Sequence, residues 1–414
     1  MIRHLNNNSD LLRFATAGSV DDGKSTLIGR LLFESGGIYQ DQLESMRKLS
    51  EKRGRADIDL SLLTDGLSSE REQGITIDVA YRYFSTEKRR FIIADVPGHE
   101  QYTRNMVTGA STADAILILV DATKGMTIQS KRHLYLSSLL QIPHIIVLIN
   151  KMDAVAYEEG AFKRIQESIE KFSQSLSIGD IQCIPISALR GDMVVKRGDR
   201  MLWHRGPSVL EYLEQLPVLK KGQSSFRFPV QLVLRPDSKF RGYAGRLEEG
   251  VIQEGDEVMV LPSKKKARIR EIFSGLQRSR FGKQGESITL TLEKELDVGR
   301  GDVIVSPHDT SVISHSFNAR VCWMGDEPLQ KGARYILKHE TKTVQATMGE
   351  IQYRLNLDSS EHEQADELHL NEIGSVSIKT HESLVIREFS SNRSAGSFII
   401  IDKATNATVG AGII

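Results

Sequence analysis

Gly18-Ser19-Val20-Asp21-Asp22-Gly23-Lys24-Ser25 is the stretch on which the reading of this chain turns. It fits the phosphate-loop pattern G-x-x-x-x-G-K-[ST], and its flanks supply the setting that pattern requires. Leu11 to Ala17 is an apolar run of strand length, and Lys24 to Phe33 carries Leu27, Leu31 and Leu32 at helical spacing. The two glycines let the backbone curl so that its N–H groups face a phosphate, while the start of the helix adds partial positive charge. Lys24 is expected to reach the β- and γ-phosphates of a nucleotide. The Ser25 hydroxyl, with Thr26 beside it, is expected to ligate Mg²⁺. A chance match in a glycine turn is the competing reading, and the strand-loop-helix context weighs against it.

Outward from this loop, Arg90 to Ala94 is a buried-strand run that ends in Asp95-Val96-Pro97-Gly98-His99. A carboxylate at a strand tip can hold Mg²⁺ through a water, and Gly98 offers a backbone N–H to a γ-phosphate. Asp-x-x-Gly alone is a weak signal, but at this distance after a phosphate loop it gains force. His99 stands where a side chain orients an attacking water, in a reaction class that depends on positioning and charge stabilisation.

Asn150-Lys151-Met152-Asp153 follows the apolar run His144 to Ile149. The two oxygens of Asp153 suit the N1–H and N2–H₂ donors on the guanine edge. Adenine offers an acceptor at N1 and no N2 amine, which would leave a desolvated carboxylate badly paired at a cost of about 1–3 kcal/mol. The expected base is therefore guanine. Ser187-Ala188-Leu189, after the strand Cys183 to Ile186, is placed to give a backbone N–H to the guanine oxygen.

Between the first and second stretches lies Arg71-Glu72-Gln73-Gly74-Ile75-Thr76-Ile77. Thr76 is the candidate switch threonine, closing on Mg²⁺ and the γ-phosphate only when GTP is bound. The metal set is thus Ser25, Thr76 and Asp95, and the catalytic set Lys24, Thr76 and His99. The preceding segment, roughly 50–69, mixes charges with Gly and Ser and lacks periodicity, as befits a part that orders with the γ-phosphate.

The chain has 414 residues, 54 basic against 54 acidic, and two cysteines. That length accommodates two or three domains, and the zero formal charge gives no global field toward nucleic acid or an anionic membrane. Cys183 and Cys322 are too far apart for a C-x-x-C motif, which fits a reduced, cytoplasmic setting. Met1 to Asp10 is polar and the longest apolar runs are strand-length, so a soluble protein is expected.

Up to about residue 220, strands alternate with helices over 128–140 and 158–176, the signature of a doubly wound, mostly parallel α/β sheet. After the polar linker Lys220 to Ser225, short alternating strands and Gly-rich turns take over. The expected architecture is an α/β P-loop GTPase domain over 1–221 and two small all-β barrels over 226–307 and 315–414. Ser35-Gly36-Gly37 reads as the end of a helix. Lys264, Lys266, Arg268 and Arg270 are expected on one strand face, as a solvated hairpin protecting an edge. No second phosphate loop is present, since Gly275 to Lys283 has the wrong spacing.

These motifs resemble translational-type GTPases of the elongation factor class. The resemblance is closer to the GTPase subunits of bacterial two-protein sulfate adenylyltransferases. It is carried by Gly18 to Thr26, by Gly98-His99-Glu100-Gln101-Tyr102-Thr103-Arg104-Asn105-Met106, and by Phe228-Pro229-Val230 with Arg241-Gly242-Tyr243-Ala244-Gly245. Leu370 to Gly374 and Thr405 to Gly412 extend it to the C-terminal region. The resemblance implies that Val20 and Ile75 are apolar neighbours gating the approach of His99. It implies an activity in which GTP hydrolysis drives a small, ATP pyrophosphatase-like catalytic subunit to make adenosine 5′-phosphosulfate and pyrophosphate from ATP and sulfate. Val96 stands where relatives usually have Thr, and Arg393 to Gly396 departs from the family pattern, neither touching a required ligand. The alternative is an elongation-factor-like protein binding aminoacyl-tRNA. Asp22, where such factors usually carry His, weighs against it, and no nucleic-acid or membrane partner is expected.

Overall fold

The computed structural model describes residues 10–36, 60, 79–97, 103–176, 178–218, 225–237 and 240–414. They fall into two compact units, Met1–Leu219 with Leu357–Ser360, and Lys220–Asn356 with Glu361–Ile414.

Among the described residues the first unit is built on six strands: β1 (Leu11–Gly18), β2 (Ala80–Ser85), β3 (Arg90–Asp95), β4 (Ala115–Asp121), β5 (His144–Asn150) and β6 (Ile181–Pro185). Their order is β2-β3-β1-β4-β5-β6, parallel throughout except for the antiparallel edge β2. β4 is buried at every position and β5 at all but its first. Parallel strands covered on both faces have no solvent side, which is why these segments read as continuous apolar runs.

Around the sheet lie α1 (Lys24–Glu34), α2 (Thr103–Ala110), α3 (Ile128–Leu139), α4 (Glu159–Ser175) and α5 (Val209–Gln215). α4 shows the clearest amphipathic logic, burying Ala161, Phe162, Ile165, Ile169 and Phe172 at three- and four-residue spacing. α3 and α5 each begin with a capping box, Thr127 with Ser130 and Ser208 with Glu211. Ser35 closes the last turn of α1 through its N–H to Leu31 O at 3.1 Å, as the Ser-Gly-Gly punctuation predicts.

Register fixes the site. Thr16 on β1 lies opposite Asp95 on β3, Gly18 opposite Leu119 on β4, and Asp121 opposite Asn150 on β5. Four strands therefore end side by side, and the loop after β1 emerges where neighbouring connections diverge to β3 and β4. Ligands of open α/β sheets bind in that crevice at the carboxyl ends.

The second unit holds two closed antiparallel rings of six strands. The first runs Glu257–Leu261, Val303–Val305, Arg227–Leu234, Gly242–Arg246, Ser287–Leu292 and Lys265–Ser274, which pairs back to Glu257–Leu261. Phe228, Val230, Tyr243, Ile269 and Leu290 are among its core residues. The second runs Arg334–His339, Ser397–Ile401, Thr408–Ile413, Val312–Trp323, Ile373–Ile386 and Lys342–Asn356, and closes likewise. Trp323, Leu337, Val376, Phe398 and Ile400 are in its core.

The basic run corrects one expectation. Lys264 sits in a turn at φ +58°, so only Lys266, Arg268 and Arg270 share the exposed strand face. That strand is bonded on both sides within a closed ring, so it guards no edge, and Arg268 pairs with Glu257 at 2.7 Å. Among the described residues no helix is long and apolar enough to cross a membrane.

Candidate nucleotide-binding site

The loop between β1 and α1 is held open from within. Gly18 ends β1 against β4, where an added Cβ would lie 3.0 Å from Leu119 O. Gly23, the residue before α1, has φ +96°, and a Cβ there would meet the side-chain nitrogen of Asn150 at 2.4 Å. The backbone thus follows a path that only glycine allows at both ends. Lys24 opens α1 and folds its ammonium back, donating to Gly18 O at 2.7 Å and Ser19 O at 2.9 Å. Ser19 N–H donates to Asp22 Oδ2 at 2.7 Å, and the Ser19 and Thr127 hydroxyls share a hydrogen bond of 3.1 Å. Ser25 and Thr26 follow in the first turn, half-buried, as does Val20 in the loop.

Burial sets the electrostatics. It pushes the Lys24 ammonium below its ordinary pKa, opposed by Asp95, Asp22 and Asp21. It likewise raises the carboxyl of Asp22, opposed by the Ser19 N–H and by Lys24. An ammonium held by two peptide oxygens and desolvated by burial is stabilised when a polyanion enters the loop. Asp95, 1% exposed at the tip of β3, accepts from the Thr16 hydroxyl at 3.2 Å.

Asn150 is the hub. Its amide nitrogen donates to Asp22 O at 2.7 Å and its oxygen accepts from Ala188 N–H at 2.9 Å. One buried side chain at the end of β5 therefore ties the phosphate loop to the Ser-Ala-Leu loop. Asp153, half-buried, accepts from the Ser187 hydroxyl at 2.6 Å, which fixes its carboxylate plane while leaving acceptor capacity. Met152 is buried beneath, and its N–H donates to Ile186 O at 3.2 Å. The Ser187 N–H goes to Asp192 O at 3.1 Å, and Leu189 is exposed.

Two anchors, Asp121 and Arg30, escaped the sequence reading. Lys151, in the left-handed region at φ +63°, bonds Asp121 Oδ2 at 2.7 Å. Burial pushes the Asp121 carboxyl up, but Lys151 and Thr123 outweigh it and hold the group below its usual range. Arg30, on the second turn of α1, donates to Ala188 O at 3.2 Å and to Leu189 O, clamping the base loop from the helix side. Only Asp121, ending an apolar strand as Asp95 does, left a sequence signal. Thr76, Ile75, Gly98 and His99 lie outside the described residues, as does the 50–69 segment apart from Leu60; Val96 and Pro97 are buried at the end of β3.

Two family models match the chain: "Elongation factor Tu GTP binding domain" over residues 9–220 and "GTP-eEF1A C-terminal domain-like" over residues 316–414. Among curated proteins, the chain is 50% identical over 410 residues to sulfate adenylyltransferase subunit 1 of Alteromonas mediterranea, covering 98% of this chain and 87% of that protein. It is 48% identical over 408 residues to the subunit 1 of Cellvibrio japonicus, covering 98% and 86%. It is also 47% identical to the bifunctional enzyme NodQ of Rhizobium sp., covering 98% of this chain and 63% of that longer protein.

Proposed function

The chain belongs to the sulfate adenylyltransferase subunit 1 family of elongation-factor-Tu-type GTPases, and on that premise we propose that it hydrolyses GTP to drive sulfate activation by a partner subunit. The observation that carries the nucleotide reading is the Asn150 hub, which joins a glycine-framed phosphate loop to a carboxylate suited to guanine. In this reading residues 1–221 form the switch domain, and 226–307 and 315–414 the two barrels.

Each residue then has a physical task. Backbone N–H groups of 18–26 cradle the phosphates, and Lys24 neutralises charge on the β- and γ-phosphates. Asp153 takes two hydrogen bonds from guanine, and the Ser187–Leu189 backbone meets the guanine oxygen. His99 orients the attacking water, and Thr76 senses the γ-phosphate.

A cation fits the donor chemistry here. Ser25 offers a hydroxyl and Asp95 a buried carboxylate, with Thr76 the third candidate, the hard-oxygen set that suits Mg²⁺. When bound, Mg²⁺ would supply neutralisation of phosphate charge.

The coupled reaction is formation of adenosine 5′-phosphosulfate and pyrophosphate from ATP and sulfate on a small catalytic subunit. By linkage, that partner must bind the GTP and GDP states with different free energies. The test is to follow GTP hydrolysis by the purified chain with and without the small subunit, ATP and sulfate, recording pyrophosphate and adenylylsulfate in the same tube. Mutually dependent product formation is expected. Hydrolysis indifferent to the small subunit but stimulated by ribosomes or charged tRNA would overturn the sulfate assignment and leave the GTPase.

A further inference from the structure

The second barrel carries a cleft of about 460 Å³ lined by His315, Arg334, Gln345, Thr347, Lys379 and His381. It belongs to none of the motifs above. Arg334 pairs opposite Thr347, Thr347 opposite Lys379, and Lys379 opposite Ser316. Arg334, Gln345, Thr347 and Lys379 are all exposed, while Val344, Ala346 and Met348 between them point into the core. The row is thus one outward face crossing adjacent strands. Arg334 and Lys379 sit on strands that flank Thr347, about 9–10 Å apart at the backbone, a span their side chains close around one small anion.

The chemistry of the row is one-sided. Guanidinium and ammonium groups can only donate, and the imidazoles, the Gln345 amide and the Thr347 hydroxyl add further donors. Among the described residues no carboxylate pairs with His315, Arg334, Lys379 or His381. Glu382, next to His381 in the chain, is engaged with Lys342 at 3.1 Å. The backbone bearing the two histidines is fixed by the buried Thr380 hydroxyl, 3.2 Å from His315 O and 2.7 Å from Glu382 O. Like charges gathered on one sheet face without an offsetting acid repel one another, and a bound oxyanion relieves that repulsion while using every donor.

We propose that this cleft binds a phosphate- or sulfate-class oxyanion. Arg334 and Lys379 carry the charge, and Thr347, Gln345 and the two imidazoles complete the hydrogen-bond shell. The ligand is either a free inorganic ion or the terminal phosphate of a nucleotide. The site stands independently of the GTPase reading.

The experiment titrates sulfate, inorganic phosphate and ADP into the full chain by calorimetry at low ionic strength, with GDP saturating so that the phosphate loop is already filled. Saturable one-site binding is expected, weakened about tenfold or more in each of R334Q and K379Q and largely kept in K379R, with GDP affinity unchanged. Tighter binding of ADP than of the inorganic ions would identify the nucleotide-borne form, and equal or weaker binding the free ion; both support the site. Absence of saturable binding, or binding in both R334Q and K379Q as tight as in the unsubstituted chain, would overturn it. So would binding of a single-stranded oligonucleotide that both substitutions abolish and that phosphate and sulfate do not displace, which would make the face a nucleic-acid surface. Should R334Q lose the wild-type circular dichroism spectrum, K379Q decides alone.

Discussion

Buried charge is handled in opposite ways in the two units. In the first, Lys24 is 8% exposed and its ammonium is held by two peptide oxygens, with burial lowering its pKa. In the second, Arg227 is fully buried and fully matched. It makes a two-pronged contact with Glu340 at 2.9 and 2.8 Å, reaches Ser311 at 2.8 Å, and meets Val385 O at 3.0 Å. Arg387 repeats the pattern with Glu249 at 3.0 Å, with Asp309, and with the same Ser311 hydroxyl at 3.2 Å. The contrast separates a site that awaits its counter-charge from one that already contains it. The lysine's cost is recovered on ligand binding, whereas the arginine network holds two barrels together with no ligand at all.

The sharpest way to break this comparison is Arg227→Ala. It leaves Glu340 buried without its partner, so the second unit should lose about 3–5 kcal/mol. The readout is the urea midpoint from Trp323 fluorescence in a Trp203→Phe background, with GTP hydrolysis followed in parallel. A midpoint within the range of surface substitutions would mean that the network is structurally idle.

Gly23→Ala attacks the other unit with a single methyl. At φ +96° the new Cβ would sit 2.4 Å from the Asn150 amide, and Asn150 cannot swing away without releasing Asp22 O or Ala188 N–H. Adding the left-handed backbone cost to one or two lost hydrogen bonds gives about 3 kcal/mol, or roughly a hundredfold loss of GDP and GTP affinity. The loss should appear in nucleotide titrations while the Trp323 midpoint stays put. Unchanged affinity would remove the hub from the account of binding.

How far the sequence carried depends on distance along the chain. The phosphate loop, β4, β5 and α4 were legible because each is specified by consecutive residues, and the barrel strand Ser287–Leu292 fell where alternation put it. Asn150 was legible as a guanine-motif residue but not as a hub. Its partners Asp22 and Ala188 lie 128 and 38 residues away, and local pattern does not encode such contacts. Arg30 was silent because an arginine on an amphipathic helix ordinarily faces water. Arg227 was hidden inside an apolar strand whose alternation would turn it outward. Lys264 was assigned to a strand because period-two reading does not see the positive φ of a turn residue.

Asp153→Asn tests the base-reading half of the site with a smaller effect. The amide would present a donor where guanine also donates, so GTP should weaken by about ten- to a hundredfold and xanthosine triphosphate should bind better than GTP. Competition binding of the two nucleotides decides it, and undiminished GTP preference would end the guanine assignment. Because Ser187 donates to Asp153 at 2.6 Å and an amide oxygen can accept the same bond, the loop should keep its shape.

The effect that is smallest at neutral pH comes from a charge the first unit excludes. His133, on α3, is fully buried, and burial, followed by Lys24 and Arg132, lowers its pKa to about 3. Gln129 Oε1 accepts from Arg132 at 2.5 Å, so the Gln129 amide nitrogen donates to His133 Nε2 at 3.0 Å and the ring proton resides on Nδ1. That atom has no hydrogen-bond partner among the described residues. The folded-state pKa lies below the unfolded value of about 6.5, so between the two the unfolded chain binds the extra proton. Stability therefore falls as pH drops from about 6.5 toward 3, by up to about 1.4 kcal/mol per unit from this residue alone. His133→Gln cannot take up the proton and should flatten that slope, read from Trp203 fluorescence in a Trp323→Phe background. Superimposable pH profiles for the two proteins would show that acid destabilisation arises elsewhere, and a flattened one would place the first unit's acid sensitivity at the helix capped by the partner of Ser19.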